Sequence, residues 1–101
     1  MDILVATTHD FALLRDGRPV ASGAWDDVLR AHASAAAGTV RLALALRGGA
    51  EFVACDDAPG WDDFVEAAES ALPGMRRARE WAPALAGGGP ATLEVFARGA
   101  R

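Results

Sequence analysis

The chain has 101 residues, 51% of them hydrophobic and 24% charged, with a net charge of −4. A chain of this length makes one domain, 1–101, and buries roughly two-thirds of its unfolded surface around one modest core. The acidic balance argues against nucleic acid or an anionic membrane as the main partner.

All basic residues are Arg, and Ala is heavily used, which reads as coding bias and not as chemistry. The single Cys55 excludes an internal disulfide framework and any multi-cysteine metal site. The opening MDILVATTHD has no basic stretch of the kind a signal peptide carries. No apolar run approaches the roughly twenty residues of a membrane span, so no span and a cytoplasmic location are expected.

In chain order, Ile3–Thr7 is a short run rich in β-branched residues and predicts a strand. His9-Asp10 interrupts it as a turn or bulge, and Phe11–Leu14 is apolar again. Asp16-Gly17 tolerates the positive φ angles of a tight hairpin turn, with Val20-Ala21 on the returning strand. Pro19 lacks a donor, so it should face out of the ladder or lie on a sheet edge.

Ser22–Gly38 reads two ways. Its Ala content, early Asp26 and Asp27, and terminal Gly38 suit a helix. Its large apolar residues, Trp25, Val28 and Leu29, sit only in the first half, and small side chains bury little area. On the residues alone, helix and strand stay open.

Thr39–Asp56 is a hairpin. Val40, Leu42, Leu44 and Leu46 alternate with Arg41, Ala43, Ala45 and Arg47, a period of two with one apolar face. A two-residue loop at Gly48-Gly49 places Leu44 opposite Val53. Val53 and Cys55 then share the leucine face, and Ala43, Ala45, Phe52 and Ala54 form the second. A three-residue loop reverses this, because one residue of slip flips every side chain. The two-residue loop is preferred, which makes Ala43, Ala45, Phe52 and Ala54 a candidate interface.

Asp57–Met75 has the clearest pattern. Trp61, Phe64, Val65, Ala68 and Leu72 form one stripe at helical spacing. Pro59 suits the first turn, Asp57 the cap, and Pro73-Gly74 the stop. This predicts an amphipathic helix over about 59–72, burying Trp61, Phe64 and Leu72. Trp81 is an isolated anchor. Ala82–Ala91, with Pro83, three glycines and Pro90, reads as a mobile loop. Leu93–Ala97 closes the chain as a strand, with Leu93, Val95 and Ala97 on one face. The expected core is Leu13, Val20, Leu42, Leu44, Leu46, Val53, Phe64, Val65, Leu72 and Val95.

Trp25-Asp26-Asp27-Val28 before a two-strand ribbon, Asp57-Ala58-Pro59-Gly60-Trp61, an amphipathic helix ending Leu72-Pro73-Gly74, a lone Trp81 and a last strand together resemble a known group. They are similar to small uncharacterised bacterial proteins with a pleckstrin-homology-like fold. The likeness covers about Phe11 to Arg98. It implies a strand at Val28–Ala33 and a strongly bent antiparallel sheet with the helix packed across it. It also implies a binding or scaffold module without a shared catalytic motif. The expected fold is thus α+β: a curved antiparallel sheet or partly open barrel, one helix, and a C-terminal strand.

Few residues point to chemistry. His9-Asp10 is better explained as turn chemistry than as a base with its orienting carboxylate. His32 has no metal-ligand spacing to His9 or Cys55, so no metal is expected. Cys55 precedes Asp56 and Asp57, which oppose thiolate formation. Asp56, Asp57, Asp62 and Asp63 lack calcium-loop spacing and serve the helix start. Arg76, Arg77 and Arg79 are the best local candidate for ligand binding. Three guanidiniums within four residues would grip a phosphate, a lipid headgroup or an acidic peptide. Dipole complementation at the helix end is the plainer account. The expectation is a non-catalytic interaction module without cofactor, whose partner is a protein or itself as a homodimer. Anion binding through Arg76, Arg77 and Arg79 is the alternative.

Overall fold

A computed structural model of the chain describes residues 1–87 and 92–98. In order, the described residues form β1 (Asp2–Ala6), β2 (Asp10–Arg15), β3 (Arg18–Ala24), β4 (Val28–Ala36), β5 (Thr39–Leu46), β6 (Glu51–Cys55), α1 (Trp61–Ala71), α2 (Ala78–Ala86) and β7 (Thr92–Ala97). A single 3-10 turn, Trp25–Asp27, joins β3 to β4. The architecture is α+β. One antiparallel sheet has the order β1-β2-β3 and the other β6-β5-β4-β7. The described strands do not close into a barrel.

The β2–β3 turn forms as the Asp-Gly signal dictates, with φ of 53° at Asp16 and 82° at Gly17. Pro19 lies on β3, an edge strand. The ambiguous segment is a strand: β4 is paired on both sides, by β5 and by β7. Helical propensity in its alanines is overridden by these two ladders. Ala31 and Ala33 are fully buried. Their small side chains leave room for α2, which packs across β4, β5 and β7.

Aromatic rings lock the layers together. The Phe11 ring of β2 lies 4.5 Å from Trp25 and 4.7 Å from Phe52 of β6. Phe64 of α1 lies 5.9 Å from Phe11 and 5.8 Å from Phe52. Both sheets, the 3-10 turn and α1 thus share one aromatic cluster. The buried Trp25 indole N–H donates to the Thr7 carbonyl at 2.9 Å, so its polar end is satisfied.

Several expectations are corrected. The β5–β6 loop has three residues, not two: Leu46 N–H donates to Ala50 O, and Leu44 lies opposite Phe52. Phe52 and Ala54 therefore join the leucines in the core, while Val53 is 40% exposed. Two consecutive glycines at positive φ, Gly48 and Gly49, accommodate the longer loop. The winning register buries a phenylalanine in place of a valine, the larger gain in apolar area. Val20 is also exposed and not core, because the β2–β3 register shifts beside it.

The predicted helix starts two residues later, at Trp61. Asp57 does not cap it. The cap is Gly60, at φ 91°, where an added Cβ would lie 2.1 Å from the Leu4 carbonyl oxygen. Trp61 is half-buried, and the fully buried tryptophans are Trp25 and Trp81. Residues 82–86 are not loop but the body of α2, which keeps Pro83 inside it. Burial of Trp81 and Leu85, four residues apart on one face, outweighs the missing Pro83 N–H. Residues 88–91 of the expected glycine-rich loop lie outside the described residues. In β7, a register shift opposite Ala31 and His32 buries both Val95 and Phe96 and leaves Ala97 exposed.

Candidate interaction surfaces

The four residues expected to share an interface do not share a face. Ala43 and Ala45 lie half-buried on the outer side of the four-stranded sheet, with Val53 paired opposite Ala43. Phe52 and Ala54 point inward and are buried. The cause is the loop register, which turns β6 over relative to β5.

Arg76, Arg77 and Arg79 stay together and exposed, in the α1–α2 connection and the first turn of α2. None has an ion-pair partner among the described residues. They follow α1 as expected, but Arg77 is the N-cap of α2 and Arg79 lies in its first turn. There the helix dipole disfavours positive charge. The backbone here does structural work. Arg76 N–H donates to Val95 O at 2.9 Å, and Arg76 O accepts the buried Trp81 indole N–H at 3.0 Å.

His9 and Asp10 form a turn. The Thr7 hydroxyl accepts from both amides at 3.0 Å and donates to the Asp10 carboxylate at 2.9 Å. His32 faces Glu94 at 3.6 Å across β4 and β7, both side chains well exposed. Among the described residues no three His, Cys, Asp or Glu side chains gather as a metal site requires. The Asp56 carboxylate accepts the Val40 amide at 3.2 Å, a structural role. Asp2 and Arg15 make a two-toothed pair at 2.9 and 3.0 Å. That hydrogen bonding holds the Asp2 carboxyl below its usual range and raises Arg15.

Two surfaces were not singled out from the sequence. The first is the outer face of β1–β2–β3. Ile3 and Val5 project from it, each 39% exposed, opposite Leu14 and Ala12. Pro19 and Ser22 continue these two rows on β3. No charged residue interrupts either row. The signal was in the sequence: Ile3-Leu4-Val5 is apolar at consecutive positions, so a strand there must show grease on both faces. The second is a cleft of about 490 Å³ between β6 and β1–β2, lined in part by Leu4, Leu13, Val53 and Pro59. It required the tertiary arrangement to exist.

These features define an α+β protein of two antiparallel sheets whose unassigned surface is sheet face and sheet edge. No protein-family model, curated protein or solved structure matches the chain. Among the described residues no helix is long and apolar enough to cross a membrane.

Proposed function

We propose that this chain is a non-catalytic protein-interaction module of pleckstrin-homology-like character, with the outer face of β1–β2–β3 as its contact surface. The observation that carries the reading is the run of exposed Ile3 and Val5 beside Leu14 and Ala12, free of charge. A contiguous exposed apolar patch on a small protein marks an interaction site more often than chance exposure does. A partner with its own apolar patch removes both from water.

The test is affinity capture of the tagged protein from an extract of its host, in parallel with Ile3→Glu and Val5→Glu variants that melt like the parent. A stoichiometric partner retained by the parent and lost by both variants is expected. A partner retained equally by all three places the contact elsewhere. Light scattering of the purified chain separates self-association from a foreign partner.

A second reading, anion or phosphate-headgroup binding, is favoured by one observation: Arg76, Arg77 and Arg79 are exposed together at a helix start that their charge destabilises. Binding of inorganic phosphate or anionic vesicles that weakens with salt and disappears on replacing all three by alanine is its expected result.

A further inference from the structure

We propose that the free edge of β6 and the cleft beside it form a second docking site, for an extended segment of a partner protein that alternates apolar and basic residues. The site is separate from the outer face of β1–β2–β3.

The first support is the hydrogen-bond phase of β6. Asp56 N–H donates to Val40 O at 2.9 Å and Leu46 N–H donates to Ala50 O at 2.8 Å. Hydrogen-bonded pairs alternate along an antiparallel ladder, so Ala54 and Phe52 also turn their backbone groups to β5. Glu51, Val53 and Cys55 turn theirs away. Of these groups only the Cys55 carbonyl has a partner among the described residues, the Ala58 amide at 3.1 Å.

The other sheet edges are guarded. Pro59 O accepts the Leu4 amide on the β1 edge, and Arg76 N–H donates to Val95 on the β7 edge. Pro19 removes a donor from the β3 edge. Proteins blunt open edges with proline, coverings or charged side chains, lysine above all. β6 has no proline or lysine. Its one charge is Glu51, β3 approaches the strand and the Cys55 carbonyl is taken, but Glu51 and Val53 keep N–H and C=O groups for an added strand.

The second support is what lies beside that edge. A strand laid along β6 sends every second side chain toward Leu4, Leu13 and Pro59 in the cleft. That gives the apolar half of the alternation its seat.

The third support is charge. Exposed Glu51 lies at the start of β6 and exposed Asp57 just past its end, and neither has an ion-pair partner among the described residues. Both call for a basic occupant. They also disfavour a second copy. Antiparallel pairing of β6 with itself about Ala54 would set Glu51 of one copy opposite Asp57 of the other, and pairing about Val53 would leave the two one diagonal step apart, like near like in both.

The experiment uses the full chain and a fluorescent peptide of about nine residues, alternating valine and arginine, enough to span one strand. Binding is read by anisotropy and located by amide chemical shifts. The expected result is saturable binding that moves the Glu51, Val53 and Cys55 amides. Val53→Pro, which deletes an edge donor but no β5 bond, should abolish it, and Asp57→Arg should weaken it by about tenfold or more. Glutamate in place of arginine, or N-methylation of alternate peptide amides, should prevent binding.

The proposal is overturned if the alternating peptide does not bind, if the shifts fall on the β1–β3 face, or if Asp57→Arg and N-methylation leave affinity unchanged. A dimer sealed through β6 also overturns it. Should Val53→Pro lose cooperative melting, Asp57→Arg and the N-methylated peptide decide alone. Any of these failures leaves the Ile3 and Val5 test standing by itself.

Discussion

The Glu69 carboxylate of α1 accepts the Ala78 amide of α2 at 2.7 Å, so one helix caps the next. The first amides of a helix have no partner within it, and α2 has no side-chain cap at its own N-cap, Arg77. Glu69→Ala should cost about 1 kcal/mol, the usual worth of a cap. Urea denaturation gives the number, and hydrogen exchange should place the loosening in α2. Unchanged stability would mean that water replaces the carboxylate without loss.

The β5–β6 register makes a contrast between neighbours. Phe52 is 2% exposed and Val53 is 40% exposed. Phe52→Ala should cost about 3–5 kcal/mol, the range for deleting a buried aromatic. Val53→Ala should stay within about 0.5 kcal/mol. The reverse order in a denaturant titration would restore the two-residue loop.

The three tryptophans should rank by burial. Trp81 is fully enclosed and its indole N–H is bonded to Arg76 O, so Trp81→Ala removes packing and strands an acceptor. A loss of about 3–5 kcal/mol is expected there. Trp61 is half-buried, and Trp61→Ala should cost about half as much, in proportion to the area it covers. Equal losses for the two would show that α1 leans on Trp61 as heavily as α2 leans on Trp81.

Gly60 tests a close backbone approach. At Gly60 a side chain needs φ 91° and meets the Leu4 carbonyl, whereas Gly48, at φ 92°, faces open space. Gly60→Ala should cost more than about 3 kcal/mol, since neither backbone can step aside. Gly48→Ala should cost only about 1 kcal/mol for the left-handed conformation. Thermal melting of the pair isolates the clash from the torsion.

Ala37 offers the opposite sign. It holds φ 53° in the β4–β5 turn and is exposed. Alanine in that region costs about 1–2 kcal/mol, and asparagine tolerates it better. Ala37→Asn should raise the melting temperature by a few degrees, a gain of about 0.5–1 kcal/mol. A lower melting temperature would mean the turn relaxes differently.

The sequence by itself determined the α+β class, the Asp16-Gly17 hairpin, the leucine face of β5 and the stripe of α1. Each is written in local terms: a turn residue, a period of two, a period near 3.6. It also brought Arg76, Arg77 and Arg79 together, because neighbours in sequence stay neighbours on one short connection.

Only the tertiary structure decided the rest. β4 is a strand because β5 and β7 flank it, and its turn uses Ala37, which carries no turn signal. α2 is a helix despite Pro83 because Trp81 and Leu85 find a core and Glu69 finds the Ala78 amide. The β6 register and the split of Ala43 and Ala45 from Phe52 and Ala54 follow from one loop residue, and the cleft beside β6 follows from the approach of β1, β2 and the turn before α1. Local propensities there differ by fractions of a kcal/mol, while burying one aromatic ring outweighs them several-fold.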